Sequence, residues 1–391
     1  MQLRPHQEQA IQSMLDNDKG QVIVPTGGGK TICMIMDAIR QLETDATVVV
    51  VAPRILLAEQ LCKEFIEILD EHYIDVSYLH VHSGRVKGMY NTTNPFEIQS
   101  FYETTSGRKI IFTTYHSLHR IEESGINVDT IYFDEAHNSV QKNFFPATDY
   151  FSKKADRCYF FTATPKHSRT DAKAGMNWSK TYGNVICQIP APKLVKQGYI
   201  LPPKVEVYKS RILKKDELVA DRDNEQMIDA IDNLDKDKVL ICAKSTRQIV
   251  ALVSQTDFVK QLAVRGYSYM YITAKTGAVI DGEKVDRETF FDTLNEWGRN
   301  GKKFVVLHHS ILSEGINVNG LEAVLFMRSM DYIGISQTIG RVIRKGDADK
   351  VFGLVCVPVY SNVGITTARK VEAVVDTIFN KGQAATTIIT R

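Results

Sequence analysis

The sequence offers no easy route to a membrane, an oxidising compartment or a structural metal. No apolar run approaches the roughly 20 residues that span a bilayer. No N-terminal stretch has the charged-then-apolar form of a signal peptide. Six cysteines are scattered without a C-x-x-C pair, and several lie in apolar runs, which reads as buried free thiols in a reducing compartment. A soluble, cytoplasmic protein with no membrane partner is expected. His80-x-His82 and His116-x-x-His119 lack a carboxylate or cysteine at ligand spacing, which argues against zinc. Charge of one sign is missing too: the formal net charge is +2, so a nucleic-acid groove would have to be a local arrangement. Apolar content is ordinary at 43% and ample for large cores. A length of 391 residues predicts about two or three domains.

One glycine is also missing. Val24 stands where a strict G-x-x-x-x-G-K-[ST] loop begins, within Gln21-Val22-Ile23-Val24-Pro25-Thr26-Gly27-Gly28-Gly29-Lys30-Thr31. The rest of that stretch carries the argument. Val22, Ile23 and Val24 read as a buried strand. The three glycines let the backbone turn tightly with its amides inward. Ile32, Ile35, Met36, Ile39 and Leu42 recur at helical spacing, so a helix starts at Lys30. Strand, glycine loop and helix N-terminus form a phosphate cradle. Lys30 can reach the β- and γ-phosphates, and the Thr31 hydroxyl can hold Mg²⁺. On this stretch alone, a glycine turn without a nucleotide stays open.

Upstream, Leu3-Arg4-Pro5-His6-Gln7 precedes a first helix. Gln7 can read an adenine edge, or it can be a surface amide. Downstream, the near-continuous apolar run at 47–52 is a strand buried on both faces, ending at Pro53-Arg54. Further strands are expected at 76–79, at 109–113 running into Thr114-Tyr115, at 130–133 ending in Asp134-Glu135-Ala136-His137, and at 158–161 leading into Thr162-Ala163-Thr164-Pro165. Strands separated by helical patterns predict a doubly wound α/β layer. Ligands bind at the carboxyl ends of such strands, where the cradle, the acid pair and the threonines all fall. Two adjacent carboxylates there suit a division of labour, one holding Mg²⁺ and the other orienting water. Taken alone, such a pair reads first as two solvated acids at a strand end; following a cradle on an earlier strand of the same layer, it reads as chemistry.

Prolines and lysines loosen the pattern from 190 to 215, and the boundary is placed there: one domain over 1–195, a linker over 196–210 and a second domain over 211–391. A second α/β series follows, with strands at 237–243, 268–273, 304–307, 323–327 and 352–357 and no cradle of its own. Between the last two, Gln337-Thr338-Ile339-Gly340-Arg341-Val342-Ile343-Arg344 sets two arginines three apart on what reads as a helix start. They are either surface ion-pair partners or a source of positive charge for a transferring phosphate.

Taken in order, these pieces resemble the superfamily 2 helicases and translocases of the DEAH-type branch, over essentially the whole chain. Gln7 matches the adenine-reading glutamine, and 25–31 matches motif I, with Thr26, Gly27, Gly28 and Gly29 at the phosphates. Pro53-Arg54 resembles motif Ia, 113–118 motif Ib, 134–137 motif II and 162–165 motif III. The run LVKQGYILPP at 194–203 resembles the inter-domain connection of this branch. Residues 245–247 sit at motif IV, 313–318 resemble motif V, and 337–344 form a full Q-x-x-G-R-x-x-R motif VI.

The resemblance implies an α/β fold of two tandem RecA-like domains, each a mostly parallel sheet flanked by helices, with ATP and Mg²⁺ in a cleft between them. It implies that Arg4 and Gln7 meet the base, Asp134 and Thr31 hold Mg²⁺, and Glu135 is the general base. His137 and Gln337 would link nucleotide state to closure, Thr162 and Thr164 would couple hydrolysis to movement, and Arg341 and Arg344 would be the fingers. Gly315 and Asn317 would face the ribose and γ-phosphate; many relatives carry Asp where this chain has Asn317. Nucleic acid would be contacted at Pro53, Arg54, Thr114, Tyr115, Ser245, Thr246 and Ser313, mostly through backbone phosphates. T-A-T-P with E-G-I-N looks more like DNA-directed relatives (restriction-enzyme motor subunits, branch-migration and repair helicases) than RNA helicases, so DNA is favoured. The expectation is a monomeric motor core, with accessory domains or partner subunits supplying specificity. The rivals are an RNA helicase, a nucleotide-switched clamp without processive movement, and a P-loop kinase or transporter ATPase. The last leaves the arginine pair unexplained.

Overall fold

The computed structural model describes residues 2–209, 211, 213–273, 275–309, 320–328, 330–345, 350–359 and 365–389. The chain forms two compact units, Met1–Pro190 with Ala384–Arg391, and Ala191–Gln383. Each is an α/β layer with its own core, as two tandem RecA-like domains require.

The first unit contains β1 (Lys19–Ile23), β2 (Thr47–Ala52), β3 (Ser77–Val81), β4 (Lys109–Thr114), β5 (Thr130–Phe133), β6 (Arg157–Thr162), β7 (Lys166–Ser168) and β8 (Asn184–Gln188). Seven of them form one sheet in the order β3-β4-β2-β5-β6-β1-β8, and every pairing is parallel. Helices return the chain between strands and cover both faces, which is why every residue of β2 is buried. Val49, Val51, Ile111, Ile131, Phe133 and Phe160 make the heart of one core layer.

Strand order decides what meets. β1 lies beside β6, with Ile23 opposite Thr162, and β6 lies beside β5, with Phe160 opposite Phe133. The glycine loop, the acid pair and the Thr-Ala-Thr turn therefore leave the sheet side by side. On the other half, Val81 is level with Thr113 and Ala52 with Thr114, so the turns after β3, β4 and β2 share a second stretch of the same edge.

The second unit contains β9 (Pro203–Lys209), β10 (Lys238–Cys242), β11 (Ser268–Thr273), β12 (Gly277–Ile280), β13 (Glu283–Val285), β14 (Phe304–His308), β15 (Ala323–Phe326) and β16 (Gly353–Val359). They make an eight-stranded sheet in the order β13-β12-β11-β14-β10-β15-β16-β9. It is parallel except for β12 and β13, which fold back as antiparallel ribbons. The β12–β13 turn is Asp281-Gly282, both at positive φ (45° and 92°), the pair a tight hairpin demands.

Two features depart from the expected boundaries. The stretch 196–210, expected as a linker, instead carries β9, which completes the second sheet by pairing with β16 along its whole length; its prolines sit at the strand's start and just before it, where a missing N–H costs nothing. At the other end, a last strand, β17 (Thr387–Ile389), belongs to the first unit and pairs in parallel with β7. All six cysteines are free and buried. Among the described residues no helix is long and apolar enough to cross a membrane, and no group of three or more His, Cys, Asp or Glu could hold a metal by itself. His80 and His82 instead hydrogen-bond each other, Nδ1 to Nε2 at 3.1 Å.

Candidate functional site

The missing glycine has a structural reason. The Val24 N–H donates to the Thr162 carbonyl at 3.1 Å, so the pairing to β6 carries on one residue past β1 at a fully buried position, and the turn follows from Thr26. Gly27 and Gly29 then take φ of +84° and +85°, which side chains rarely adopt, and the helix Lys30–Gln41 begins at once. The first helix, Pro5–Leu15, braces this loop. His6 Nε2 donates to the Gly28 carbonyl at 2.7 Å, and Gln7 Oε1 accepts from the Arg4 N–H at 2.9 Å. A Cβ on Gly29 would lie only 2.3 Å from Gln7 Nε2. Gln7 is thus no surface amide but is packed against the loop, 4% exposed. The Thr26 hydroxyl in this loop is buried and has no hydrogen-bond partner among the described residues.

β5 delivers the acid pair. Glu135 adopts a left-handed backbone (φ +45°), a conformation costing a side-chain-bearing residue about 1–2 kcal/mol, and strain of this kind gathers at functional sites. Lys30 Nζ lies 3.3 Å from Glu135 Oε1, with both side chains nearly buried. His137 Nδ1 lies 3.5 Å from Glu135 Oε2 and 3.0 Å from Thr162 Oγ1, and the Thr164 N–H donates to that same hydroxyl at 3.0 Å. Lysine, glutamate, histidine and the two threonines form one connected string. Asp134 stands beside it; burial and the neighbouring Glu135 charge push its carboxyl up to about 7, with Lys30 pulling the other way. Two desolvated carboxylates with a single ammonium leave negative charge uncompensated. A divalent cation at Asp134 would compensate it, and the donor set is all oxygen, which suits Mg²⁺.

The rim after β2 and β4 differs from expectation at one residue above all. Arg54 is exposed at the head of the helix Ile55–Glu71 and Pro53 is buried behind it. Tyr115, expected to touch nucleic acid, is turned inward and 2% exposed. Its N–H continues the pairing to Ala52 at 3.1 Å, its ring stacks on Phe133 and Phe144, and its hydroxyl donates to the Asp134 carbonyl at 2.8 Å. Tyr115 therefore props the acid pair from behind. Thr114 is likewise buried, at the end of β4.

In the second unit, Ser245 Oγ accepts from the Gln248 N–H at 3.1 Å and caps the helix Thr246–Gln255, with Thr246 half-buried. Gln337 and Arg341 lie one turn apart on the helix Tyr332–Val342, and both are buried. Among the described residues Gln337 Nε2 has no hydrogen-bond partner. The helix ends at Val342, so Arg344 follows a helix C-terminus rather than opening a helix, and its backbone bridges to Ile200. A pair that pattern reading missed lies near Arg341: Cys242 Sγ is 3.2 Å from His308 Nε2. Burial, then the charges of Arg341 and Arg328, hold the His308 imidazole down at about 3. A lone strand-end histidine gives no signal for this in sequence. Ser313, Gly315 and Asn317 lie outside the described residues.

Residues 1–167 match the family model described as Type III restriction enzyme, res subunit, and residues 223–346 match the Helicase conserved C-terminal domain. No curated protein matches the chain. Among solved structures, the ATP-dependent Type ISP restriction-modification enzyme LlaBIII bound to DNA is similar at TM-score 0.75 and 18% identity, covering 100% of this chain and 31% of that one. A nuclease-deletion mutant of the Type ISP enzyme LlaGI, in complex with a DNA substrate mimic, is similar at TM-score 0.68 and 19% identity, covering 99% and 30%. Dbp5 of S. cerevisiae, bound to RNA and ADP BeF3, is similar at TM-score 0.60 and 13% identity, covering 99% and 89%. The chain spans about a third of the two restriction enzymes. Two family models in this order, on two tandem RecA-like domains, identify the chain as a member of the superfamily 2 helicases.

Proposed function

We propose that this chain hydrolyses ATP to drive movement along DNA or separation of its strands. The observation that carries the reading is the string from Lys30 through Glu135 and His137 to Thr162 and Thr164, set beside a glycine loop at one sheet edge. Gln7 and Arg4 would meet the base, and Thr26, the three glycines and Lys30 would take the phosphates. Lys30 is held by Glu135 until phosphates draw it away, and its departure frees Glu135 to orient and deprotonate water. Thr31 and Asp134 would hold Mg²⁺, which when bound neutralises charge on the β- and γ-phosphates. His137 lies between the general base and Thr162, so a change at the γ-phosphate can reach the turn that opens β7. Arg341 and Arg344 are assigned the transition-state charge, a role worth roughly 10³–10⁵ in rate, and Gln337, with its unsatisfied amide, the sensing of nucleotide. Gly315 and Asn317 are assigned the ribose side, and Arg54, Ser245, Thr246 and Ser313 the nucleic acid.

DNA is favoured because the two similar structures with the higher TM-scores hold DNA or a mimic of it, in keeping with the T-A-T-P and E-G-I-N sequences. The test is ATP turnover measured with single-stranded DNA, duplex DNA and RNA. A rise with DNA is expected. A rise with RNA alone moves the substrate to RNA, and no rise with any of them removes the motor.

A further inference from the structure

The two helices that frame the glycine loop are joined a second time, at their far ends. The helix Pro5–Leu15 sets His6 and Gln7 against the loop, and the helix Lys30–Gln41 starts from it. Met14 lies about two turns (~10 Å) beyond Gln7, and Asp37 about two turns beyond Lys30. One guanidinium holds both far ends. Arg157, the first residue of β6, donates from Nη1 and Nη2 to the Asp37 carboxylate at 3.2 and 3.3 Å, and from Nη2 to the Met14 carbonyl at 2.9 Å. That carbonyl is one of the last in its helix, a group the helix itself leaves without a partner. The sheet fixes the cluster in turn. The Tyr132 hydroxyl, on β5, donates to Asp37 Oδ2 at 2.5 Å. The Tyr159 hydroxyl lies 2.7 Å from the Met14 and Asn17 carbonyls, and its ring centre is 5.0 Å from the Arg157 guanidinium. The strands that end in the acid pair and the threonine turn thus also grip the two helices.

Core packing does not require this arrangement. Asp37 and Tyr132 are fully buried and Arg157 largely so. Burial pushes the Asp37 carboxyl up, while the Arg157 charge draws it down. A buried ion pair often adds no stability over apolar side chains of similar volume. What this one adds is register: directed hydrogen bonds to a carboxylate on one helix and a carbonyl on the other are all satisfied at one axial offset. The offset matters at the opposite end. Reading a base edge depends on hydrogen bonds that weaken steeply with distance and angle, whereas the pull of Lys30 on phosphates falls only with the inverse of distance. A slip of about 1 Å between the helices therefore spoils the base contact first.

We propose that Asp37, Tyr132 and Arg157 are positioning residues for nucleotide selection: by fixing one helix against the other they set the offset between Gln7 and Lys30, and with it the preference for adenine over other bases. The inference rests on the reading above, in which Gln7 meets the base and Lys30 the phosphates. The test is displacement of a ribose-labelled fluorescent ATP analogue by ATP and by ITP, whose base carries an oxo group where adenine has its amino group. It compares the wild type with Gln7→Ala, Arg157→Lys and the apolar pair Asp37→Leu/Arg157→Met, each with a thermal melt. A paired hydrogen-bond contact to a base edge discriminates by about 5–150-fold, so the wild type should favour ATP by that factor and Gln7→Ala should not. Arg157→Lys keeps the charge without the planar fork that spans both helices, and the apolar pair removes both charges without stranding either. Both should lose most of the preference by weakening ATP, with ITP binding unchanged, KM for ATP raised and kcat held, and the apolar pair should melt close to the wild type. If the apolar pair melts early, Arg157→Lys decides on the same ratio. A wild-type ratio in the folded variants overturns the positioning role and leaves the base reading intact. A wild type with no preference, matched by Gln7→Ala, overturns both.

Discussion

Asp134 gives the sharpest test of how the site is arranged. The structure holds its carboxyl in a dry place beside Glu135 and pushes it from 3.8 up to about 7. In the unfolded chain the same group ionises near its ordinary value. Between those two pH values the folded state keeps a proton that the unfolded state has released, so folded stability falls as pH rises. The fall begins near pH 4, is complete above pH 7, and amounts to about 4 kcal/mol at most, at ~1.4 kcal/mol per pH unit. Asp134→Asn lacks this penalty. Without nucleotide and in EDTA, the variant should therefore gain on the wild type by up to about 3 kcal/mol between pH 5 and pH 8. Local relaxation and water entry will reduce that figure.

Two-unit chains do not unfold in one step, so the readout has to be local. The protein has two tryptophans. Trp178 sits in the first unit, edge-on to Phe145 at 5.6 Å, and Trp297 in the second, so Trp178 fluorescence in a Trp297→Phe background follows urea unfolding of the relevant unit. Adding Mg²⁺ and a nucleotide should reverse the order, stabilising the wild type and not the variant. A difference between the two proteins that stays flat from pH 5 to pH 8 would refute the buried-carboxylate argument.

Three further outcomes are expected. Glu135→Gln should retain nucleotide binding, because Lys30 is released from its partner, while steady-state turnover drops about 10²–10⁴-fold; retained turnover would remove Glu135 as the base. Gly29→Ala should cost about 1–2 kcal/mol in backbone strain alone and displace Gln7, and is checked by a thermal melt together with titration of a fluorescent nucleotide; wild-type values in both would show that the loop tolerates a side chain. Tyr115→Phe should lose the bond to the Asp134 carbonyl, about 1 kcal/mol of stability, with no change in DNA affinity. A selective loss of DNA binding would put Tyr115 back on the rim.

Much of this was legible before any coordinates because parallel strands and phosphate loops write local signals. Val48 to Val51 can only be a doubly buried strand, and Gly27 to Lys30 can only turn into a helix. What escaped depends on partners distant in sequence. Whether Tyr115 faces out or in is settled by its pairing with Ala52 and the aromatic rings beneath it, not by the motif around it. β9 resembles a linker until β16 is there to receive it, and the Cys242–His308 pair exists only because β10 and β14 are neighbours. The β12–β13 hairpin is different, since Asp281-Gly282 is a local turn signal that needs no distant partner.

β17 has a consequence of its own. Everything from Ala191 to Gln383 belongs to the second unit, yet the polypeptide then goes back and adds a rung to the first. There the Thr387 N–H grips the Pro165 carbonyl at 3.2 Å, one residue after Thr164, and Ile389 settles on the first unit's core. The polypeptide therefore passes between the two units twice, once after Pro190 and once after Gln383. A version of this chain stopped at Gln383 would lose more than a dangling end: it would bare an unpaired strand edge immediately behind the threonine turn.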